Sequence, residues 1–224
     1  MRSSLSRLVL ALSSAPCLML VGCLTAPSAP DLAAMAQAPV VATAPQATGP
    51  FVAAANPLAV QAGLDVLNRG GSAVDAAVAV QAVLGLVEPQ SSGLGGGAFM
   101  MVYTAKTREI TAYDGRETAP AAATPELFYE NGKPLPFIYA VLSGRPTGVP
   151  GAVAMLGMAQ KEHGKLAWSE LFGDAERLAR DGFVVSPRLA GMIASNAPQA
   201  RTEWATAYFT KADGSRYVAG DVLK

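Results

Sequence analysis

Between Ala73 and Leu86 the chain carries only two polar side chains, Asp75 and Gln81. A segment that apolar and that rich in alanine has no polar face to turn toward water, so as a helix it must be enclosed on most sides. Its ends are marked. Ser72-Ala73-Val74-Asp75 reads as a capping-box-like start, and Pro89 stops the helix. Immediately before it, Asn56-Pro57 predicts a helix that runs to about Arg69 and is ended by Gly70-Gly71.

The pattern then changes period. Ala98 to Thr104 and Glu109 to Asp114 read as strands joined through Ala105–Arg108, an antiparallel hairpin. Beyond Pro120 the chain is loop-rich, with Pro125, Pro134, Pro136 and Pro146. Helices are predicted over about 152–162, over 168–181 with Gly182 at its end, and from Ser186-Pro187 to about Ala197. Residues 201–224 read as a short β-containing or loop segment without a closing element. There are no internal repeats. Helix and strand patterns together predict an α+β fold.

At 224 residues, 51% hydrophobic and 15% charged, the chain can bury a core. Its 17 basic residues balance 17 acidic ones, which argues against the electrostatic footprint of a nucleic-acid binder. The two cysteines, Cys17 and Cys23, lie at the amino terminus, so the body offers neither a disulfide framework nor a cysteine metal site. His163 is the sole histidine. It stands near a predicted helix C-terminus among Lys161, Glu162 and Lys165, and is expected to be a surface residue, not a catalytic base. No metal or cofactor is expected.

Residues 1–22 read as an export signal: Arg2 and Arg7 precede a mostly apolar Leu8–Val21 run too short and broken to span a bilayer comfortably. Leu20-Val21-Gly22-Cys23 looks like a bacterial lipobox, which predicts lipidation of Cys23 and a lipoprotein on the periplasmic side of a membrane, the outer membrane first. A secretory cut near Ala36-Gln37-Ala38, giving a periplasmic or secreted protein, and a retained anchor are the alternatives. Residues 23–50, dominated by Ala, Pro, Thr and Gln, predict a tether, with the folded body over 51–224.

Gly93-Leu94-Gly95-Gly96-Gly97-Ala98 matches G-x-G-x-x-A, with Asp114 about 20 residues on. A dinucleotide site needs a strand before the glycines and a helix after them. Here the order is reversed. The glycines predict a tight crossing of backbone on backbone, compatible with a turn that shapes a cleft.

Three segments in register carry a resemblance: Gly70–Ala79; Val87-Glu88-Pro89 with Ser92–Phe99; and Asp114-Gly115-Arg116-Glu117-Thr118-Ala119-Pro120. Gly148-Val149-Pro150-Gly151, Asp181-Gly182-Phe183 and Ser186-Pro187 extend it. Together they resemble the γ-glutamyltransferase family, over about Ala53 to Leu189. The resemblance implies an N-terminal-nucleophile hydrolase, an αββα sandwich of which this chain is the large-subunit portion, incomplete without a C-terminal small subunit. It implies transfer of a γ-glutamyl group from glutathione-like donors to water or amines, by a threonine whose own α-amine serves as base. Arg116 matches the arginine that binds the substrate α-carboxylate, and Glu117 is expected to hold it in place. The nucleophilic threonine is expected downstream of Lys224, so this chain alone is expected to be inactive, with sheet edges and apolar faces left uncovered. A cephalosporin or glutaryl amide acylase, and a non-catalytic ligand-binding lipoprotein, are the alternatives.

Overall fold

A computed structural model describes residues 49–224. The proposed signal, Cys23 and almost all of the tether lie outside the described residues. The described residues all fall in one folded unit.

Two antiparallel neighbours, α1 (Pro57–Asn68) and α2 (Ala73–Val87), form the centre of the structure. Both start as the caps predict. The Asn56 side chain accepts from the Leu58 amide at 3.0 Å. Ser72 and Asp75 complete a reciprocal capping box, with the Ser72 amide 2.8 Å from Asp75 Oδ2. No residue from Val74 to Glu88 is exposed. Ala59, Ala62 and Val66 of α1 and Val74, Val78 and Val83 of α2 are among the core side chains.

The predicted hairpin forms. β1 (Ala98–Thr104) pairs antiparallel with β2 (Glu109–Gly115), from Ala98↔Gly115 to Thr104↔Glu109. Side chains alternate across it. Met100 and Val102, with buried Tyr113, belong to the core side, where helix α4 (Ala152–His163) packs. Phe99, Met101, Tyr103 and Ile110 stand exposed on the opposite face. Between the hairpin and α4 lie a two-residue ladder, β3 (Tyr129–Glu130) with β4 (Lys133–Pro134), and a short helix α3 (Phe137–Leu142) that the prolines of this region did not signal.

After α4 the structure departs from expectation in four places. The single helix expected over 168–181 is a 3-10 turn at Trp168–Leu171 followed by α5 (Gly173–Asp181), which Gly182 ends with φ +91°. Helix α6 (Pro187–Ala194) stops three residues early. The Ser195 hydroxyl bonds back to the Met192 carbonyl at 2.8 Å, and Ala197, before Pro198, is barred from helical backbone. Residues 203–208 form helix α7, whose start is capped by Thr202. Finally, the carboxyl-terminal segment does close on the fold: β6 (Val222–Leu223) pairs with β5 (Phe183–Val184) and buries Leu223.

His163 is not the plain surface residue expected. It ends α4 with its side chain only 26% exposed, and its Nε2 lies 2.8 Å from the Tyr113 hydroxyl. That hydroxyl donates to Glu162 Oε2 at 2.5 Å. The bond to the carboxylate, reinforced by burial and by its charge, pushes the Tyr113 phenol up to about 12.

Among the described residues, two carboxylates are buried in the core region. Asp75 is 0% exposed. Besides the capping box it accepts from the Lys165 amide at 2.7 Å, the Leu166 amide at 3.3 Å and Gln160 Nε2 at 3.2 Å, so it fastens the loop after α4 to the start of α2. Burial raises its carboxyl, but these hydrogen bonds outweigh burial and hold it below the usual carboxylate range. Glu88 is described by the same balance: burial opposes its charge, and bonds from Asn56, Gln90, Arg188 and Ser186 lower it.

Replacing Asp75 by alanine is expected to cost on the order of 3 kcal/mol, because it strips an acceptor from several buried donors; urea unfolding measures it. Both carboxyls are depressed in the folded state. Their stabilisation is therefore complete above the unfolded-state values of about 4 and is lost as pH falls through the lower folded values. An acid titration of the urea midpoint should show this loss below about pH 4, with a smaller loss in Asp75→Asn.

Candidate functional site

The cleft is built where three backbone segments converge. Strand β2 ends at Gly115 and delivers Arg116 and Glu117. An Asx turn sets the exit, with the Arg116 amide donating to Asp114 Oδ1 at 2.9 Å. The glycine turn arrives from the other side, and the Gly96 carbonyl accepts from the Gly151 and Ala152 amides at the start of α4. The third segment, the loop before α4, is pinned by the bridge Thr118↔Val149, whose amide donates to the Thr118 carbonyl at 2.9 Å.

Glycine is required at this crossing. A Cβ on Gly97 would stand 2.7 Å from both the Glu117 amide nitrogen and the Gly115 carbonyl oxygen, backbone atoms that cannot step aside. A Cβ on Gly148 would meet Glu117 Cβ at 2.8 Å. Glu117 is thus clamped between two glycines. Within the glycine run the tight-crossing reading holds at Gly97, whereas a Cβ at Gly93 or Gly95 would meet open space; the run sits between a helix and a strand, the wrong context for a dinucleotide.

The resulting cleft has a volume of about 490 Å³ and includes Gly95, Arg116, Glu117, Thr118, Arg145 and Gly148 in its wall. The Arg116 side chain is 70% exposed, and its Nε lies 3.5 Å from Glu117 Oε2. Arg116 and Glu117 are therefore together, beside the glycine turn, with the guanidinium open to an incoming anion. A guanidinium so exposed can present its planar fork to a carboxylate, with the Glu117 acid alongside it.

Sequence reasoning singled out neither Arg145 nor Glu88. Arg145 lies in the same cleft wall as Arg116, but its sequence neighbourhood, Gly144-Arg145-Pro146, reads only as a turn. Glu88 was part of a recognised segment, yet its function in the fold depends on partners up to a hundred residues away: Asn56 Nδ2 at 2.9 Å, Ser186 Oγ at 3.3 Å and Arg188 Nη1 at 2.8 Å. A larger cavity of about 690 Å³, flanked by Leu86, Met192, Trp204 and Tyr208, has no Arg, Lys, Asp or Glu in its wall and lacks the means to bind a charged substrate.

Comparisons with known proteins agree on one family. The profile described as Gamma-glutamyltranspeptidase matches residues 59–224. A glutathione hydrolase proenzyme of Bacillus subtilis strain 168 is 47% identical over 144 residues, covering 64% of this chain and 24% of that protein. The crystal structure of Helicobacter pylori gamma-glutamyltranspeptidase superposes with a TM-score of 0.70 at 33% identity, over 78% of this chain and 50% of the other. A cephalosporin acylase from Bacillus halodurans is less similar, with a TM-score of 0.59 at 27% identity over 82% of this chain and 37% of the other. The chain spans about a quarter of the length of the curated relatives it matches. With the profile covering more than half of the chain, the protein belongs to the gamma-glutamyltranspeptidase family.

Proposed function

We propose that this chain is the substrate-recognition part of a γ-glutamyl acyltransferase or glutathione hydrolase, and that Arg116 binds the α-carboxylate of the γ-glutamyl group. The observation that carries this reading is the open Arg116 guanidinium in the cleft beside the glycine turn. Family membership supports the acyl-transfer chemistry.

In this reading a threonine on the small-subunit segment attacks the γ-glutamyl carbonyl, its own α-amine taking the proton. The amide C–N bond breaks, the amine leaves with that proton, and an ester to the threonine remains. Water or a second amine then takes the glutamyl group. Arg116 contributes by fixing the distant end of the acyl group, so that the carbonyl is presented in one orientation. Glu117, clamped between Gly97 and Gly148, limits where the guanidinium can move.

The partner segment has a matching surface. Phe99, Met101, Tyr103 and Ile110 make one face of the β1–β2 hairpin apolar and exposed, as a strand layer awaiting a second sheet would be. At the amino terminus, the Leu20–Cys23 lipobox favours a lipid-anchored protein on the periplasmic side. Similarity to the cephalosporin acylase is lower in both identity and superposition, so the γ-glutamyl assignment is preferred.

Calorimetric titration of the chain with glutathione tests the reading. Binding is expected, and Arg116→Ala should weaken it by about a hundredfold, with Arg116→Lys recovering only part because an ammonium lacks the planar fork. Equal affinity for wild type and Arg116→Ala would refute the assignment. No turnover of a γ-glutamyl anilide is expected until the threonine segment is supplied. Cys23→Ser is expected to move the protein from the membrane to the soluble fraction of its host; unchanged partitioning would remove the lipobox assignment.

A further inference from the structure

The cleft wall holds two guanidinium groups and a single carboxylate, an excess of one positive charge, and a γ-glutamyl group, whose α-amine and α-carboxylate cancel, leaves that excess in place. Arg116 answers the glutamyl α-carboxylate. Arg145 has no part in that task.

Arg145 is held rather than free. Its Nη1 donates to the Leu127 and Tyr129 carbonyls, both at 3.2 Å, and its Nη2 donates to Glu130 Oε1 at 2.6 Å. Those bonds use three of the five N–H groups of a guanidinium and leave two. The side chain is 32% exposed, and the residue forms part of the cleft wall, whereas Glu130 does not. A cation pre-positioned by three bonds loses little freedom on taking up an anion. The cleft also has room for more than a glutamyl group, since about 490 Å³ lies within the range of pockets that enclose whole small molecules.

Resting on the assignment of Arg116 to the glutamyl α-carboxylate, we infer that Arg145 is a specificity-determining residue: it reads a second carboxylate, on the leaving-group side of the donor. The favoured substrates are γ-glutamyl peptides with a free C-terminal carboxylate, over γ-glutamyl amides and anilides that lack one. A brace for the 127–130 loop would account for the three internal bonds alone. It would not account for discrimination between an acid and its ester.

Calorimetry of the full chain with glutathione and with its glycyl monoethyl ester separates these roles. Wild type should bind the acid about tenfold more tightly than the ester. Arg145→Gln should weaken glutathione by about that factor and leave the ester unchanged, whereas Arg116→Gln should weaken both. Glu130→Gln, which removes the internal competitor for Arg145, should widen the preference for the acid. The inference is overturned if Arg145→Gln weakens acid and ester equally, or if wild type binds them equally while Arg116→Gln still weakens both. Absence of binding of either ligand to wild type, with the fold intact by circular dichroism, would instead overturn the reading of the cleft itself.

Discussion

A carboxylate sits where electrostatics least favours it. Glu88 follows the last turn of α2, at the negative end of the helix dipole, and only 1% of it is exposed. It is tolerated because four side chains donate to it. Asn56 and Ser186, two of the four, are also the N-caps of α1 and α6. One buried group therefore fixes the starting points of two helices relative to the end of a third. Arg188 neutralises the charge and also reaches Ser91 Oγ at 3.2 Å, at the head of the glycine turn. Removing any one donor leaves a desolvated charge less well matched, so the assembly acts as a unit.

Asp75 performs the analogous task at the other end of α2, tying the loop after α4 to the capping box. The central helix is thus anchored at both ends by buried acids, while its sides pack through apolar contacts apart from Gln81, whose amide donates to Ser92 Oγ at 2.9 Å. This division has a physical basis. Apolar packing is strong but non-directional, and a helix as uniformly apolar as α2 could slide or rotate among near-equivalent packings. The two carboxylates, each satisfied by donors from specific places, select one of them.

What could be read from the sequence follows the range of the interaction. The caps at Asn56 and Ser72, the stop at Pro89, and the hairpin from Ala98 to Gly115 depend on neighbours within a few residues, and local rules located them. Arg116 and Glu117 were legible through a resemblance carried by contiguous segments, and the structure places both in the cleft. Arg145, Glu88 and the Tyr113–Glu162–His163 cluster were not legible. Each acquires its meaning from partners 15 to 100 residues away, and nothing in its own neighbourhood announces them. The early stop of α6 and the pairing of Val222–Leu223 with β5 failed for related reasons: the first turns on a serine back-bond ahead of Ala197-Pro198, the second on a strand two residues long with no periodicity to detect.

Under the proposed assignment of recognition to Arg116 and of chemistry to another segment, the hairpin lets the two be positioned separately. Its inner face is committed to α4 and the core, which fixes the height and direction of β2. Arg116 follows directly from the end of that strand, so its position is inherited from a ladder of seven paired residues per strand and not from a flexible loop. Gly97 and Gly148 then confine Glu117 from both sides, and the Asx turn at Asp114 fixes the path between. The outer face carries no such commitment. A second sheet laid on Phe99, Met101, Tyr103 and Ile110 would gain its binding energy from apolar area alone, without disturbing any bond that positions Arg116. A nucleophile carried by that layer could therefore be generated and docked independently while the carboxylate fork stays in place.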